Sequence, residues 1–500
     1  MGMLHQAGGE LTARAEDAEI LVVNTCSFID SAKQESVNTI LEMVQHKAAN
    51  GGRAQRLIVA GCLVERYRDE IQKNIPEVDA VVGTGELEAI LTAAGLSPQA
   101  ALPSGNLLFN ILPQDLVERA PSSVQQHSRP LTDAETPSQL KISQAGLEAS
   151  GAKSRPEGDL REKQGRFSRA SWDGATAALP EYLYSDTTPR ILTTPRASAY
   201  IKIAEGCDHP CGFCIIPQLR GKFRSRRLSS ILVEAENLIA QGVREITLIG
   251  QDTTCYGEDL GMTDGLAMLL DAVAVLPGLR WVRFLYAYPN KVTTKLLETI
   301  AKHDTIAKYL DVPLQHASPS VLKRMKRGGT PEHFMKLIEK ARAIVPGIVL
   351  RTTFIVGFPG ETEADYKQLE AFIAAAKIDW LGVFTYSDEE GAAAFHLPSE
   401  LKVPKRTIES RRNKLMKLQQ KISAKTKASW VGREVDLLVE GESEETELLW
   451  EGRTSLHAPE IDGKVFINDF GPHETLVPGT FYRAAITESH DYDVVARIIE

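Results

Sequence analysis

Three cysteines in one short loop, Cys207, Cys211 and Cys214, have the spacing C-x3-C-x2-C. Three thiolates can hold a four-iron cluster and leave one iron without a protein ligand, so that a small molecule can chelate this iron. Zinc would need a fourth ligand, and His209 lies inside the loop as a candidate. Zinc sites usually consist of two C-x2-C pairs, so the spacing favours the cluster. We expect Phe213 to pack on a ligand bound to that cluster.

The residues around this loop alternate between strand and helix patterns from Ala199 to about Tyr386. One helix is predicted to begin with Thr330 as its N-cap and Pro331 at its first position. Six βα units predict a parallel sheet with right-handed crossovers, curved into a partial barrel. Chemistry in such a barrel belongs at the carboxyl ends of the strands, where the cysteine loop lies. The predicted strands are Ala199–Ala204, Glu245–Gly250, Trp281–Ala287, Tyr309–Val312, Val349–Val356 and Leu381–Tyr386.

Other residues at the ends of these strands are candidate contacts for the small molecule. A glycine after a strand usually indicates only a turn, but it also permits close approach of the backbone to an adenine or a ribose. Because all of these residues lie at one face of the barrel, we expect them to line one site. They are Gly250, Gln251 and Asp252 after the second strand, Asp311 and Gln315 at the fourth, and Val356 and Gly357 at the fifth.

The N-terminal segment from Ala18 to about Leu96 has the pattern of a smaller α/β unit. Its two predicted strands, Ile20–Asn24 and Leu57–Ala60, are each followed by a cysteine, Cys26 and Cys62. Parallel strands would place both thiols at the carboxyl edge of the sheet, where ligands bind in open α/β folds. The alternative is a pair of ordinary buried cysteines. Their identical placement favours a role as ligands.

The length of 500 residues predicts about three domains. Six cysteines are too few for a disulfide scaffold, and the sequence has no signal peptide and no membrane-spanning run, so we expect a cytoplasmic protein. Residues 104–196 are rich in Ser, Gln, Pro and charge, which predicts a disordered linker with a short docking piece at Leu179–Tyr184. The domains are therefore predicted at 1–103, 197–429 and 430–500, with that linker between the first two.

The C-terminal part combines a basic helix with an acidic domain. The helix, Leu401–Ser429, is interpreted as a connecting element with a solvated charged face. Residues 430–500 read as short strands between Gly and Pro turns, which predicts a small β-barrel. This barrel has sixteen acidic and five basic residues, a net charge of −11. It would repel phosphate and attract a basic partner, so no stable binding of nucleic acid is expected.

The cysteine loop resembles the radical S-adenosylmethionine (SAM) superfamily, and the whole chain except the linker resembles its methylthiotransferases. The segments that carry the resemblance are NTCSFIDSAKQES, GCLVERY, GCDHPCGFCIIPQLRGKFRSR, TLIGQDTTCYG, DVPLQHASPSVLKRMKR and TTFIVGFPGETEADY. The resemblance implies an α/β fold with three parts: a parallel α/β domain, a partial (β/α)6 radical-SAM barrel and a small C-terminal β-barrel called TRAM. It also implies two 4Fe-4S clusters, one on Cys207, Cys211 and Cys214 that cleaves SAM, and an auxiliary one on Cys26 and Cys62.

Members of that family act on an adenosine of transfer RNA or on an aspartate of ribosomal protein S twelve. The segments Gln251–Thr254 and Ala458–Gly463 resemble the RimO-type branch, and the acidic TRAM domain suits a basic ribosomal protein. We therefore expect addition of a methylthio group to the β-carbon of the aspartate, on the free protein or the small ribosomal subunit. The resemblance also implies an electron donor such as flavodoxin or ferredoxin. The alternatives are a transfer RNA adenosine methylthiotransferase and a non-catalytic iron–sulfur or RNA-binding adaptor.

The chain departs from the family pattern at its start. The resemblance implies a third auxiliary cysteine after an opening strand, whereas Met1–Leu11 resembles the helix that follows that strand. We therefore expect the first strand and its cysteine to be missing, through a misassigned start codon or a truncation. Cys255 is the spare cysteine and the alternative third ligand, but it follows the second barrel strand, so we expect a passive, semi-buried thiol there. With two auxiliary thiols alone, about four irons per chain are expected, because each cluster contributes four.

Overall fold

The computed structural model describes residues 1–96, 109–111, 182–443 and 446–500. The N-terminal unit is a three-stranded parallel sheet in the order β1-β2-β3 with helices packed on it. Its apolar strands pair in register, with Thr25 opposite Gly61, so the predicted strands and their shared carboxyl edge are confirmed. Its elements are α1 Gly2–Gln6, β1 Ile20–Thr25, α2 Asp30–Val44, β2 Arg56–Gly61, α3 Cys62–Asn74, β3 Ala80–Val82 and α4 Ala89–Ala94.

Most of the predicted linker, including residues 179–181 of the docking piece, lies outside the described residues. Within residues 104–196, the segment 182–196 is folded against the barrel, and disorder outside the described residues stays a prediction. Strand β4, Phe109–Ile111, pairs in parallel with β5, Arg190–Leu192. Leu192 is buried in the barrel core, and Arg190 Nη1 lies 2.6 Å from Glu234 Oε1. The ring of Tyr184 lies under the ammonium of Lys202.

The central domain has six parallel strands in two groups of three, in the orders β10-β9-β6 and β11-β12-β13. Backbone hydrogen bonds between Val282 and residues 305 and 307 connect the groups, which gives the predicted partial barrel. The strands are β6 Ser198–Lys202, β9 Glu245–Ile249, β10 Trp281–Phe284, β11 Tyr309–Asp311, β12 Val349–Val356 and β13 Trp380–Thr385, with a hairpin of β7 Ala204–Glu205 and β8 Arg224–Ser225.

Helices cover the outside of this barrel. Thr330 caps its helix as predicted, because its side chain accepts a hydrogen bond from the backbone N–H of His333. None of the helices in the described residues is long and apolar enough to cross a bilayer. The helices are α5 Ile216–Arg220, α6 Leu228–Ala240, α7 Gly265–Ala274, α8 Thr294–Lys302, α9 Pro319–Arg324, α10 Pro331–Ile344, α11 Glu363–Ala376 and α12 Lys405–Ala428.

The basic helix α12 is only partly the solvated element that the sequence predicted. Its face toward the barrel buries Arg411, Gln419 and Lys427. The Lys427 ammonium lies 3.3 Å from the ring centroid of Trp380 and 4.0 Å from that of Trp430. The interpretation as a purely solvated face was therefore wrong for these three residues, because a buried cation can be held by aromatic faces instead of water.

The C-terminal domain is a closed five-stranded barrel in the order β14-β15-β16-β18-β17, as predicted. It packs on the amino ends of the central strands, opposite the cysteine loop. Glu245, the first residue of β9, lies between Arg283 of the central barrel at 2.8 Å and Arg453 of the C-terminal barrel at 2.5 Å. Its strands are β14 Glu434–Ser443, β15 Thr446–Arg453, β16 Val465–Asp469, β17 Phe481–Ser489 and β18 Val494–Ile498.

Candidate active site

The cysteine loop follows β7 at the carboxyl end of the barrel and is held from both sides by backbone hydrogen bonds. The N–H of Cys207 donates to the carbonyl of Gly221 at 3.2 Å. In the middle of the loop, the N–H of Gly212 donates to Met325 and its carbonyl accepts from Ala394, each at 2.7 Å. Three separate segments thus fix the path of this loop, and with it the positions of the three thiols.

The environment of the three thiols fits an iron–sulfur cluster. Burial, with a smaller contribution from the neighbouring cysteines, raises the pKa of Cys207 to about 11 and that of Cys214 to about 12. Bound iron would offset this effect, because a metal ion deprotonates a coordinating thiol. Two donors already point at sulfur, Arg327 Nη1 to Cys211 Sγ and the N–H of Ile216 to Cys214 Sγ, each at 3.5 Å. Hydrogen bonds to sulfur tune the potential of such clusters.

His209, the candidate fourth ligand of a zinc site, is engaged elsewhere. Its Nε2 lies 2.5 Å from Asp252 Oδ2, and its ring stacks on Tyr288 with centroids 3.8 Å apart. The Cys255 thiol donates to the same Asp252 oxygen at 3.1 Å, which makes a compact group separate from the loop thiols. His209 is therefore held by Asp252 and Tyr288, and Cys255 is engaged as a hydrogen-bond donor inside the barrel.

Gln251 presents an unused acceptor at the end of β9. Its Nε2 donates to Glu205 Oε1 at 2.9 Å, whereas its Oε1 is buried and has no partner in the described part of the chain. The preceding Gly250 leaves the strand end open, since a Cβ there would meet the carbonyl oxygen of Ala204 only at 3.5 Å. A buried acceptor without a donor fits a ligand that brings its own N–H group, such as the amino group of SAM.

Asp252, also predicted as a ligand contact, serves the protein itself. Burial alone would raise its pKa, but hydrogen bonds from His209, Thr254 and Cys255 lower it below the usual value. Thr254 donates to it through both its backbone N–H, at 2.8 Å, and its hydroxyl. The carboxylate is thus an anchor for the loop that follows β9.

The predicted residues on the fourth and fifth strands also have partners within the protein. Asp311 accepts from Arg351 and from the backbone of Tyr286, each at 2.9 Å. Gln315 has a left-handed φ of 72° and links β11 to β12 by backbone hydrogen bonds. Asp311 and Gln315 thus each have a structural role, and their contact with SAM stays a prediction.

The end of β12 and the aromatic residue of the cysteine loop meet in a second apolar cluster. Val356 is buried, and a Cβ on Gly357 would lie 2.4 Å from the side chain of Ile408 on α12. Close packing of a helix therefore requires this glycine, whatever it does for a ligand. Phe213 packs against the apolar cluster that contains Phe358, and its stacking on a ligand stays a prediction.

Tyr286 was missed from the sequence. It lies just beyond the carboxyl end of β10 with a φ of 64°, a conformation that costs free energy for a residue other than glycine. The residue is nevertheless 44% exposed at this end of the barrel. No sequence signal marks such a backbone, because the strain is imposed by distant partners such as Asp311, which binds the N–H of Tyr286.

The two N-terminal cysteines lie side by side at the sheet edge. Cys26 follows β1 and is exposed, and Cys62 begins α3 directly after β2 and is buried. The hydroxyl of Ser27 donates to the carbonyl of Cys62 at 3.1 Å. Gly61 makes the approach possible, since its φ is 104° and a Cβ would lie 2.6 Å from the carbonyl oxygen of Thr25. The predicted pairing of these positions is therefore present.

This N-terminal edge packs directly against the barrel mouth. Cys62 is buried with Ile215 and Leu219, which follow the cysteine loop in sequence. The Arg220 side chain hydrogen-bonds the Cys62 thiol. Burial raises the pKa of this thiol above its usual value, and the charge of Arg220 offsets part of that increase. Arg220 Nη1 also lies 3.6 Å from Glu205 Oε1, the oxygen that accepts from Gln251.

These contacts form a continuous polar connection. It runs from the second auxiliary thiol through one arginine and one glutamate to the open acceptor at β9. The sheet edge that carries Cys26 and Cys62 thus packs against the carboxyl end of the barrel, where the cysteine loop lies. An arrangement of this kind can carry out two linked reactions on one substrate.

Comparisons with known proteins agree with this architecture. The model of the radical SAM superfamily matches residues 201–373, that of the uncharacterized protein family UPF0004 matches residues 1–83, and that of the TRAM domain matches residues 431–499. The chain is 62% identical over 499 residues to the ribosomal protein uS12 methylthiotransferase RimO of Koribacter versatilis, covering 100% of this chain and 92% of that protein. The chain belongs to the RimO family.

A second member of the RimO family, from Solibacter usitatus, is 50% identical over 501 residues, covering 100% of this chain and 90% of that protein. Among solved structures, the radical SAM methyltransferase TsrM of Kitasatospora setae is 15% identical with a TM-score of 0.44, covering 74% of this chain and 62% of that one. This weaker likeness carries no argument about activity.

The expectation that a first strand and cysteine are missing is not borne out. The UPF0004 model matches from residue 1 onward, and the segment before β1 is an integrated part of the N-terminal unit. Ala7 packs with Ile58 and Val82, and a Cβ on the buried Gly2 would lie 2.3 Å from the carbonyl oxygen of Pro189. The expected weak auxiliary cluster and low iron count depended on that missing strand and have no other basis.

Proposed function

We propose that this RimO-family chain adds a methylthio group to the β-carbon of an aspartate in ribosomal protein S twelve. The observation that supports this reaction best is that the domain edge with Cys26 and Cys62 packs on the segment that follows the cysteine loop. One set of cysteines is suited to generating a radical. The other belongs to a separate domain, where Cys62 packs on Ile215 and Leu219 just after that set. A binding module or adaptor would have no use for both.

The residues that would hold the cofactors follow from the site. Cys207, Cys211 and Cys214 would bind the 4Fe-4S cluster that cleaves SAM, and Cys26 and Cys62 would bind the auxiliary 4Fe-4S cluster. Bound SAM supplies a 5′-deoxyadenosyl radical when it is cleaved reductively. The residues proposed to contact SAM are Phe213, Gly250, Gln251, Asp252, Asp311, Gln315, Val356 and Gly357, with the Gln251 acceptor the best supported.

The chain's own residues bind and shield the reacting groups. A β-hydrogen of aspartate is too weakly acidic for a side-chain base, so the protein needs to position a radical and not a base. Gln251 would orient the amino end of SAM, while Arg327 donates to the sulfur of Cys211. Arg220 and Glu205 would fix the position of the Cys62 thiol relative to Gln251. Tyr286, partly exposed at the carboxyl end of the barrel, would contact the substrate there.

The partners follow from charge and chemistry. An acidic C-terminal domain of net charge −11 would attract a basic ribosomal protein, free or within the small ribosomal subunit, and would disfavour stable binding of nucleic acid. Because this domain lies at the amino ends of the barrel strands, its charge would act at long range and not at the cysteine loop. A one-electron donor such as flavodoxin or ferredoxin would reduce the cluster, in the cytoplasm.

Mass spectrometry of ribosomal protein S twelve tests the proposal. A strain that lacks the gene should lose the methylthio-aspartate, and a plasmid copy should restore it. A Cys214→Ala copy, matched in expression, should not restore it. Retention of the modified aspartate in the deletion strain would reject the assignment, and loss of a methylthio-adenosine from transfer RNA would point to the transfer RNA enzyme instead.

A further inference from the structure

One short segment contacts both cysteine-bearing regions. Residues 387–394 follow β13, the last strand of the central barrel. At the far end, the N–H of Ala394 donates to the carbonyl of Gly212 inside the cysteine loop, and Gln218 Nε2 donates to the carbonyl of Gly391, each at 2.7 Å. At the near end, Glu389 and Glu390 face the N-terminal unit. The segment is therefore a physical link between the two domains.

Glu389 holds the start of α2, the helix that follows the Cys26 loop. Its side chain is buried to 2% exposure, and its Oε1 accepts from the backbone N–H of Asp30 at 2.8 Å. The N-cap position of that helix, Ile29, provides no side-chain cap. A carboxylate from another domain thus caps α2, at the end of the helix where the dipole favours negative charge. Lys33 Nζ, one turn later, donates to Glu389 Oε2 at 2.9 Å.

Arg66 fastens the second cysteine element to the same point. It lies one turn after Cys62 on α3, with its side chain fully buried. Its Nη1 donates to the carbonyl of Ser27 at 3.0 Å and lies 3.4 Å from Glu389 Oε2. Its Nη2 donates to the carbonyl of Glu390 at 2.9 Å. One guanidinium therefore ties together the residue after Cys26, the helix of Cys62 and the barrel segment.

We infer that Glu389, Lys33 and Arg66, the Glu389 clamp, set the distance between the auxiliary thiols and the cysteine loop. The inference rests on the proposed function, in which SAM cleavage must be coupled to transfer of the methylthio group. The rate of a reaction falls steeply when the reacting groups are displaced by about 1 Å. A buried contact made of several hydrogen bonds and ion pairs is suited to preventing such a displacement. Glu389 is accordingly a positioning residue: it contacts neither cysteine set, and its loss uncouples the two reactions.

Glu389→Gln tests this inference, because glutamine keeps the shape but leaves two buried cations without their shared anion. In the reconstituted full-length enzyme, iron content and 5′-deoxyadenosine formation should stay within twofold of the parent. Methylthiolated peptide per 5′-deoxyadenosine should fall at least tenfold. Hydrogen exchange should accelerate in residues 26–36 and not in the barrel strands. Glu245→Gln is the matched control, a buried carboxylate between two arginines at the opposite end of the barrel.

The outcomes separate the clamp from the function. If the parent enzyme forms no methylthiolated peptide, the proposed function fails, while hydrogen exchange still tests the clamp. If Glu389→Gln keeps the parental product ratio, or if Glu245→Gln lowers that ratio equally, the clamp has no special role in coupling. Should Glu389→Gln fail to fold, Lys33→Met replaces it, since Lys33 retains 16% side-chain exposure and removing it weakens the same contact. An unchanged ratio in Lys33→Met would overturn the inference.

Discussion

The two ends of the central barrel are built by the same kind of contact to different effect. At the amino end, Glu245, Arg283 and Arg453 bury their charges completely between the barrel and the TRAM domain. At the carboxyl end, the domain contact also uses buried ion pairs, but it surrounds groups that remain open, such as the Gln251 acceptor and the exposed Cys26. A closed end stabilises the fold, and an open end leaves room for ligands.

The difference shows in how each end treats a buried charge. Burial alone would raise the pKa of Glu245, but Arg453 and Arg283 lower it to about 2, so the amino end is permanently ionised at neutral pH. At the carboxyl end, burial raises the pKa of Cys207 to about 11 and that of Cys214 to about 12, so both thiols are neutral at pH 7 in the protein alone. The buried group at the amino end is charged and paired, whereas these two groups at the carboxyl end are uncharged.

The largest effect is expected from cysteine substitutions at the open end. Cys214→Ala should remove about four irons per chain and abolish 5′-deoxyadenosine formation, since the radical-generating cluster loses a ligand. Cys62→Ala should also lose about four irons but keep SAM cleavage, and it should make no methylthiolated product. Iron analysis, SAM turnover and peptide mass spectrometry measure these results. Loss of SAM cleavage in Cys62→Ala would contradict the division between the two sets.

A change at the closed end should cost stability and leave the chemistry in place. Glu245→Gln leaves two arginines in a buried site without their anion, a loss expected to destabilise the fold by about 3–5 kcal/mol. Chemical denaturation should show this loss at pH 7. It should shrink as the pH falls from about 4 toward 2, because the native carboxylate is then protonated as well. A loss that is independent of pH would show that packing and not charge holds this junction.

Lys427 at the same end provides a smaller test. Burial lowers its pKa from 10.5 to about 8, and its ammonium has no hydrogen-bond partner in the described residues. Between these values the unfolded chain binds a proton that the folded chain does not, so folding stability should rise with pH, by at most about 1.4 kcal/mol per unit. Lys427→Met removes that rise. In thermal denaturation, the melting temperature of the variant relative to that of the parent should therefore be lower at pH 9.5 than at pH 7.

The smallest effect is expected at the rim of this junction. Arg280 and Asp436 form an ion pair at 3.0 Å across the barrel–TRAM contact, but both side chains are about half exposed. Solvent-exposed pairs of this kind contribute roughly 0–1 kcal/mol. Arg280→Ala should change the free energy of unfolding by no more than that in chemical denaturation, with part of the change from lost contact with Phe481. A loss as large as that of Glu245→Gln would contradict the distinction between rim and centre.

Local patterns predicted the elements and both cysteine sets. The spacing of Cys207, Cys211 and Cys214 and the strand-then-cysteine pattern at Cys26 and Cys62 depend on neighbouring residues alone, so the sequence shows them directly. The cap at Thr330 is likewise a contact three residues long. Each of these predictions needed no knowledge of the rest of the fold.

Contacts between distant residues could not be predicted in the same way. Glu389 meets Asp30 across 359 positions, and Arg453 meets Glu245 across 208. Nothing in the local sequence distinguishes these residues from solvated charges. Lys427 looked like one more lysine of a basic helix, because only the tertiary fold places Trp380 beside it. For that reason, the burial of these charged residues could not be predicted from the sequence.

Gly61 carries a consequence for recognising such chemistry in other genomes. With a φ of 104° and a ψ of −158°, it occupies a backbone region open almost only to glycine. Any mutation there, even to alanine, would push the ends of β1 and β2 apart and separate the two thiols. The glycine before Cys62 is therefore as much a requirement for the pair as the cysteines themselves. A divergent chain that keeps both cysteines but lacks this glycine should not hold the two thiols in this geometry.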